Sequence, residues 1–273
     1  MRRTLVSCCL AVLVLAGLVA PGRAKSPAPL LPNLVPLPPA TFVGPFTGLL
    51  DTFGYAYPAP LVVNGCLPDE TARRSALRCL RYDTAAANRG TGPLEIAYRI
   101  EPPETNAYQV IHNKDGSTTD RFAVASEFHP THAHFHFQSF YVTSLWKYSG
   151  GKRVGRKPVA SGNKSGFCPE DSGEDGAPGP QGESTYGCLT GYRMGPAGPE
   201  QVVGISAGWY DTYRVHLPDQ YLEITDVPDG LYLLEVELDP DDNVLESNEH
   251  DNKVCVLVRL EGDDATHGGT VSC

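Results

Sequence analysis

The chain has 273 residues, a formal net charge of −10 at pH 7, and hydrophobic residues at 41% of its positions. This length can bury a substantial core in one domain or two. An acidic surface argues against nucleic acid and anionic membranes as partners, because both carry negative charge. It suits a cationic ligand, although solubility alone also accounts for it.

The N-terminus has the features of an export signal. Two early arginines precede an uncharged apolar run over 10–20, and Ala24 offers a small-residue cleavage site. The run is too short for a typical membrane span, and no other segment is long and apolar enough for one. We therefore expect residues 1–24 to be a signal peptide and the rest of the protein to be soluble and secreted.

Six cysteines follow the predicted signal, and their number favours disulfides. An even count in an exported chain implies pairing, and six cysteines allow fifteen connectivities. The six fall into three local couples along the chain, and none has the CxxC spacing of a metal site. The predicted pairs are Cys66–Cys79, Cys168–Cys188 and Cys255–Cys273.

Residues 25–60 are rich in proline and carry few charges. Each proline biases the residue before it away from helix, so the stretch is predicted to be extended. We interpret it as an arm laid along the surface of a domain that covers 61–273.

Short apolar segments bounded by turn formers predict strands through most of that domain. The strand-like segments are 94–100, 109–112, 121–125, 132–146, 221–227, 231–238 and 253–260. One helical segment is predicted near 69–80, where acids come early and arginines late. The order of these elements shows no βαβ alternation. It predicts a mainly β fold, an antiparallel β-sandwich-like domain with long irregular loops and few short helices.

Two loops stand out for their composition. Residues 171–201 are predicted to form a long irregular insertion, and loops of this length inside a domain are often functional. Residues 239–251 gather six acidic side chains around a predicted hairpin. Calcium could bind there, but without an EF-hand pattern a solvated acidic turn is the favoured interpretation.

A histidine cluster is the strongest single signal for chemistry. Four of the eight histidines lie within eight residues, at His129, His132, His134 and His136. In a strand the last three share one face and apolar neighbours take the other. Clustered imidazoles suit copper, zinc, nickel or iron rather than calcium or magnesium.

The geometry of an ideal strand limits this metal site. The Cα atoms of His132 and His136 would lie roughly 13 Å apart, so all three reach one ion only if the strand bends or twists. His129 could replace one of the three. The alternative, a set of unrelated surface histidines, fits the density of the cluster poorly.

Several separated segments resemble, in order, those of the lysyl oxidases, the copper- and quinone-dependent amine oxidases. The histidine spacing matches their motif. Residues 162–171 are similar to the family's segment around the quinone lysine, and 210–227 to its quinone-tyrosine segment and the following strand. Residues 31–36, 88–91 and 246–273 resemble the family's start and end. The likeness covers most of the chain after the signal, as in a divergent secreted member.

The resemblance implies a set of site residues and a reaction. The implied copper(II) ligands are His132, His134 and His136, the implied lysyl tyrosylquinone precursors are Lys164 and Tyr213, and the implied catalytic base is Asp211. The reaction would be oxidative deamination of a primary amine, either peptidyl-lysine or a small amine, by dioxygen. It would release an aldehyde, hydrogen peroxide and ammonia. The resemblance implies neither nucleic acid nor membrane as a partner, and it fixes no oligomeric state.

The chemistry of these residues agrees with that reaction. Oxidation of an unactivated amine needs an electron acceptor that ordinary side chains do not provide, so a cofactor must carry it. Without the family pattern the same residues would be unremarkable. Lys164 would be a solvated loop lysine, Tyr213 a core aromatic residue and Asp211 a turn former.

The chain departs from the family pattern at several places. Thr131 and Trp209 stand where cysteines are expected, no further histidine follows the cluster, and the loop between Cys168 and Tyr210 is longer. These departures bear on the disulfide pattern and the substrate pocket more than on copper or the quinone.

Two other functions remain open from the sequence. A secreted β-sandwich module for adhesion or metal binding would use the histidines for a structural ion and would not be an enzyme. A zinc hydrolase would use three histidines and an open water position. Only the oxidase requires a covalent bond between Lys164 and Tyr213.

Overall fold

The computed structural model of the chain describes residues 27–39, 41–42, 65–67, 78–101, 104–129, 134–137, 139–164, 167–217 and 220–273. Within these ranges the regular structure consists of strands without helices, and every strand pair is antiparallel. The predicted mainly β antiparallel fold is therefore confirmed. The predicted signal peptide lies outside the described ranges.

The first of four sheets carries the histidine strand at one end. Its order is β14 (Gly191–Gly195), β15 (Gly198–Ile205), β6 (Leu94–Glu101), β7 (Glu104–Asn113), β8 (Thr118–His129) and β9 (His134–His136), with β1 (Pro29–Leu30) paired to β7. The third sheet is β13 (Gly173–Glu174), β16 (Trp209–Tyr213), β5 (Thr84–Asn88) and β2 (Leu34–Pro36).

The second sheet packs against these two. Its order is β11 (Lys152–Val154), β10 (Tyr141–Ser149), β18 (Gly230–Leu238), β19 (Lys253–Glu261) and β20 (Asp264–Val271), with β12 (Ala160–Lys164) also paired to β10. A small fourth sheet contains β17 (Tyr221–Glu223), β4 (Cys79–Tyr82) and β3 (Thr41–Phe42).

The main core lies where the first three sheets meet. Its buried members include side chains of β2, β6, β10, β15 and β18, together with Phe137, Phe140 and Phe167 from the connecting segments. Burying side chains of this size contributes roughly 1.5–3 kcal/mol each to folding. The connecting segments that follow β9 and β12 are thus part of the core.

The chain does not continue as one strand through 132–146, as the sequence predicted. It forms β9, leaves it at Phe137, and re-enters a sheet only at Tyr141. Ser139 adopts a positive φ of 56°, a left-handed conformation that turns the chain sharply between the two strands. The histidine strand is therefore separate from β10, and each strand pairs with a different sheet.

Three other predictions change in detail. The strand predicted over 221–227 ends at Glu223, and the loop over 171–201 contains β13, β14 and the start of β15. Most of the predicted helix over 69–80 falls outside the described residues, but its last two residues belong to β4. Since Cys79 and Leu80 are fully buried between neighbouring strands, local packing decides their conformation.

All three predicted disulfides are confirmed: Cys66–Cys79, Cys168–Cys188 and Cys255–Cys273. Each closes a short stretch of chain, with partners 13, 20 and 18 positions apart in the sequence. Disulfides of this number are typical of proteins outside the reducing cytosol. Within the described residues, no helix has the length and apolarity of a membrane span.

Part of the predicted arm belongs to the sheets. β1 pairs with β7 and β2 with β5, and Leu34 is fully buried. The buried Asn88 side chain accepts the backbone N–H of Asn33 at 3.1 Å, and the amides at positions 91 and 92 donate to Leu31 O. A side chain at Gly90 would meet Leu31 O at 2.3 Å, so this close approach requires glycine. The division of the chain at residue 60 stays a prediction.

The acidic hairpin is less solvated than its composition indicated. Asp239 and Glu246 are each only 5% exposed. Asp239 accepts the backbone amides of Asn243 and Val244 at 3.0 and 2.7 Å. Glu246 accepts the amide of Leu34 in the arm and the side-chain amide of Asn252, the latter at 3.0 Å. Both carboxyl groups therefore connect backbone segments.

Burial of Glu246 predicts a pH-dependent stability. Desolvation raises the pKa of its carboxyl group from 4.5 to about 8. The folded protein therefore holds this proton more tightly than the unfolded chain, so the free energy of unfolding should fall as pH rises from about 5 to about 8. We expect a contribution on the order of 2–4 kcal/mol, measured by urea denaturation with EDTA present. Glu246→Gln should match the wild type near pH 5 and exceed its stability near pH 8. Parallel pH curves for the two proteins would contradict this assignment.

Candidate active site

The histidine strand β9 lies against the end of β8. His134 is the register partner of His129, and His136 is the partner of Glu127. Register partners in an antiparallel pair have Cα atoms roughly 4.5–5.5 Å apart. The structure thus brings His129 next to the predicted ligand pair His134 and His136, while His132 lies outside the described residues.

His136 is buried rather than solvent-facing. Only 6% of the residue is exposed, and its backbone carbonyl accepts the Ser126 hydroxyl at 2.9 Å. The histidine face of the strand is therefore turned away from solvent at His136, because β9 lies over the core. An imidazole in this position would be a suitable nitrogen donor for copper or zinc.

Aromatic residues around the histidines fix the position of β9. Phe135 stacks on Tyr98 of β6 with ring centroids 5.2 Å apart. Phe137 is 1% exposed and meets Phe140 edge to face at 5.6 Å. The predicted alternation of histidine and apolar residues is therefore realised in part, with both phenylalanines packed on the core.

Lys164 is the last residue of β12, in register with Tyr141 of β10. Three residues later, Phe167 is fully buried and its carbonyl accepts the backbone N–H of Phe137 at 3.1 Å. This hydrogen bond joins the segment after the histidine strand to the segment after the predicted quinone lysine.

Tyr213 is the last residue of β16 in the third sheet, and its side chain contacts the segment that follows Lys164. Its hydroxyl accepts the backbone N–H of Cys168 at 2.6 Å and donates to the carbonyl of the same residue at 3.3 Å. Its ring lies 5.4 Å from the ring of Phe167. Burial, reinforced by the charge of Asp211, raises the pKa of the Tyr213 phenol well above its usual range.

Asp211 lies two residues earlier on the same strand. β16 is extended, so Asp211 and Tyr213 share a face of it, as the sequence predicted. Asp211 is 1% exposed, and its Oδ1 accepts the Ser172 hydroxyl at 3.0 Å. Burial, reinforced by the charge of Asp211, also raises the pKa of the Tyr141 phenol well above its usual range.

One aromatic cluster connects all of these segments. Phe167 stacks on Phe140 at 4.2 Å and meets Tyr141 edge to face at 5.2 Å, in addition to its contact with Tyr213. Phe137, Phe167 and Tyr213, which lie one, three and two residues after His136, Lys164 and Asp211, therefore meet in a single aromatic cluster. They follow or end β9, β12 and β16, which belong to three different sheets.

The described residues fit copper and a tyrosine-derived quinone. His136 provides a buried imidazole, and His134, two residues earlier, is in register with His129, so this strand pair brings together histidines, which are nitrogen donors of the type that copper prefers. Tyr213, whose hydroxyl is hydrogen-bonded to Cys168 four residues after Lys164, would supply the ring of a cross-linked quinone, and Lys164 would supply its amine. The described part of the chain contains no complete group of three metal-ligating side chains.

A comparison with known families identifies the chain. The family model described as lysyl oxidase matches residues 107–269, which is more than half of the chain. The chain belongs to the lysyl oxidase family. The matched range contains the histidine strand and the segments of Lys164 and Tyr213, so the predicted resemblance is confirmed.

Individual relatives of this lysyl oxidase family member show moderate identity. Protein-lysine 6-oxidase from Sus scrofa is 33% identical over 144 residues, covering 52% of this chain and 50% of that protein. Lysyl oxidase homolog 1 from Homo sapiens is 30% identical over 210 residues, covering 75% of this chain and 33% of that protein. The chain thus spans about half the length of the first relative and about a third of the second.

Sequence reasoning missed two parts of this lysyl oxidase site. The backbone of Cys168 holds Tyr213, and the Ser172 hydroxyl supports Asp211. The only sequence signal for the first was the disulfide cysteine four residues after Lys164. Backbone contacts of this kind leave almost no signature in residue type, since every residue except proline offers the same N–H and C=O at position 168.

Proposed function

We propose that this protein is a secreted copper-dependent amine oxidase that deaminates primary amines, either peptidyl-lysine or small amines. The proposed ligands are His132, His134 and His136, and the proposed lysyl tyrosylquinone is built from Lys164 and Tyr213. The observation that carries the proposal is the meeting of segments at Phe167, which bonds to the residue after His136 and contacts Tyr213.

The cofactors define what the protein residues must do. Copper and dioxygen would supply the oxidising power that converts the Tyr213 ring to a quinone, which then accepts electrons from the amine. Lys164 supplies the amine that becomes covalently joined to that ring. Family membership and the packing of the half-buried Tyr213 against the core support this assignment, and the three disulfides support an extracellular location.

The chain's own side chains account for binding and proton transfer. Asp211 is the proposed base that removes a proton from the carbon bearing the amine. The aromatic cluster around Phe167 keeps water from the reacting groups, which strengthens electrostatic interactions there. Overall, a primary amine, dioxygen and water give an aldehyde, ammonia and hydrogen peroxide. The net charge of −10 is favourable for an approaching alkylammonium ion.

A peptide map of copper-loaded protein tests the proposal. We expect trypsin digestion and mass spectrometry to show one species that contains both Lys164 and Tyr213. Two ordinary linear peptides from protein with full copper occupancy would contradict it, and would leave a metal-binding module or a zinc hydrolase as the explanation.

Removing a proposed ligand should prevent that cross-link. His136→Ala should lower copper content and abolish the joined peptide, because copper is needed to oxidise the tyrosine ring. The matched control is His267→Ala, which removes an exposed histidine on β20 in another sheet. Copper is measured by elemental analysis and the cross-link by mass spectrometry. A normal cross-link in His136→Ala would exclude that residue as a ligand.

A further inference from the structure

The main chain of one residue, Cys168, holds the Tyr213 phenol. The N–H of Cys168 donates to the hydroxyl at 2.6 Å, and the hydroxyl donates to the C=O of the same residue at 3.3 Å. The adjacent Phe167 ring lies 5.4 Å from the tyrosine ring. The position of this short segment therefore determines where the phenol lies.

The segment is in turn fixed through its disulfide. Cys168 is bonded to Cys188. The N–H of Cys188 donates to Glu170 Oε2 at 3.2 Å, and its carbonyl accepts Gln201 Nε2 of β15 at 2.8 Å. The disulfide thus connects the peptide that holds Tyr213 to the first sheet.

The same segment is close to Lys164 along the chain. Only four residue steps separate Lys164 from Cys168, so their Cα atoms cannot be more than about 14 Å apart. The hydrogen bonds of Tyr213 to Cys168 therefore also limit its distance from Lys164. Reactions between groups held close together in this way gain large factors over free encounter.

We propose that the Cys168–Cys188 disulfide is a positioning device for cofactor formation, which holds Tyr213 within reach of Lys164 so that the two become cross-linked. The inference rests on the proposed function. Loss of the disulfide frees Cys168 from Cys188 and allows its peptide to leave the tyrosine hydroxyl. The proposed copper ligands lie on another segment, so copper binding should persist.

The test compares two variants that each lose one disulfide. Cys168→Ser/Cys188→Ser removes the proposed device, and Cys255→Ser/Cys273→Ser is the matched control in the second sheet. Both are prepared copper-free and then loaded with copper in air. We expect the first to form the Lys164–Tyr213 peptide about tenfold more slowly than the wild type, and the second at nearly the wild-type rate. Similar rates in the two variants would overturn the inference.

A second readout separates positioning from general destabilisation. In the copper-free protein, hydrogen exchange at the amide of residue 168 should accelerate in Cys168→Ser/Cys188→Ser, while amides in β10 and β18 stay protected. Tyr213→Phe provides a reference for the size of this acceleration, because it removes the hydroxyl group that accepts the amide hydrogen of residue 168. Unchanged protection at residue 168 would overturn the inference.

A milder variant keeps the test decisive if the double substitution does not fold. Gln201→Ala leaves the disulfide in place but removes the side chain that holds the carbonyl of Cys188. We expect it to slow cross-linking by about two- to fivefold with little change in copper content. A wild-type rate would count against the proposal. Absence of the cross-link in the copper-loaded wild type would instead refute the proposed function itself.

Discussion

Tyr213→Phe should abolish amine oxidation and leave the fold intact. The phenylalanine ring lacks the oxygen from which the quinone develops, so no cross-link to Lys164 and no reaction with phenylhydrazine are expected. Activity should fall below detection, measured as peroxide release from a panel of primary amines. The lost hydrogen bonds to Cys168 should lower the free energy of unfolding by only about 1–3 kcal/mol.

The matched control for this prediction is Tyr210→Phe. Tyr210 lies three residues earlier on the same strand, is also buried, and covers Gly173, where a Cβ would lie 2.5 Å from the tyrosine hydroxyl. Its substitution should leave the cross-linked peptide and the carbonyl reactivity in place. If Tyr213→Phe retained carbonyl reactivity, the assignment of the quinone precursor would be wrong.

Asp211→Asn should slow turnover by about 10²–10⁴-fold while the Lys164–Tyr213 cross-link still forms. The amide has nearly the shape of the carboxylate and can still accept the Ser172 hydroxyl, but it cannot take a proton from the substrate. Removal of that proton should then limit the rate. Amine deuterated at the reacting carbon should accordingly show a larger kinetic isotope effect in the variant than in the wild type.

Ser172→Ala is the control for this second prediction. It removes the 3.0 Å hydrogen bond to Asp211 but keeps the carboxylate, so its effect on turnover should be much smaller. The peptide map is recorded for both variants, which separates slow catalysis from failed cofactor formation. Full turnover in Asp211→Asn with a complete cross-link would assign the base to another residue.

The sequence predicted those elements that are determined by residues close to one another in the chain. Alternating apolar residues predicted β18 and β19, and pairs of cysteines close in sequence predicted all three disulfides. The order of the family-like segments predicted membership of the lysyl oxidase family, and the roles of the individual site residues stay predictions. These signals depend on residue type and spacing, which are read directly from the chain.

Features that depend on distant backbone groups could not be predicted in this way. Cys168 binds the Tyr213 hydroxyl through main-chain atoms only. The turn after β9 requires the left-handed backbone conformation of Ser139. The burial of Glu246 results from its contact with the arm, more than two hundred residues away. In each case tertiary packing, rather than local preference, decides the outcome.

The attachment of the arm to the core limits the positions at which a protease can cut the chain without loss of structure. Leu34 is fully buried in the core, and its amide donates to the carboxyl group of Glu246 near the other end of the chain. A protease that cuts before Pro29 would leave both arm strands in place. A cut between Pro36 and the fourth sheet would allow β2 to leave, which would expose the core and strip Glu246 of a partner. A cut that leaves both arm strands attached must therefore fall before β1.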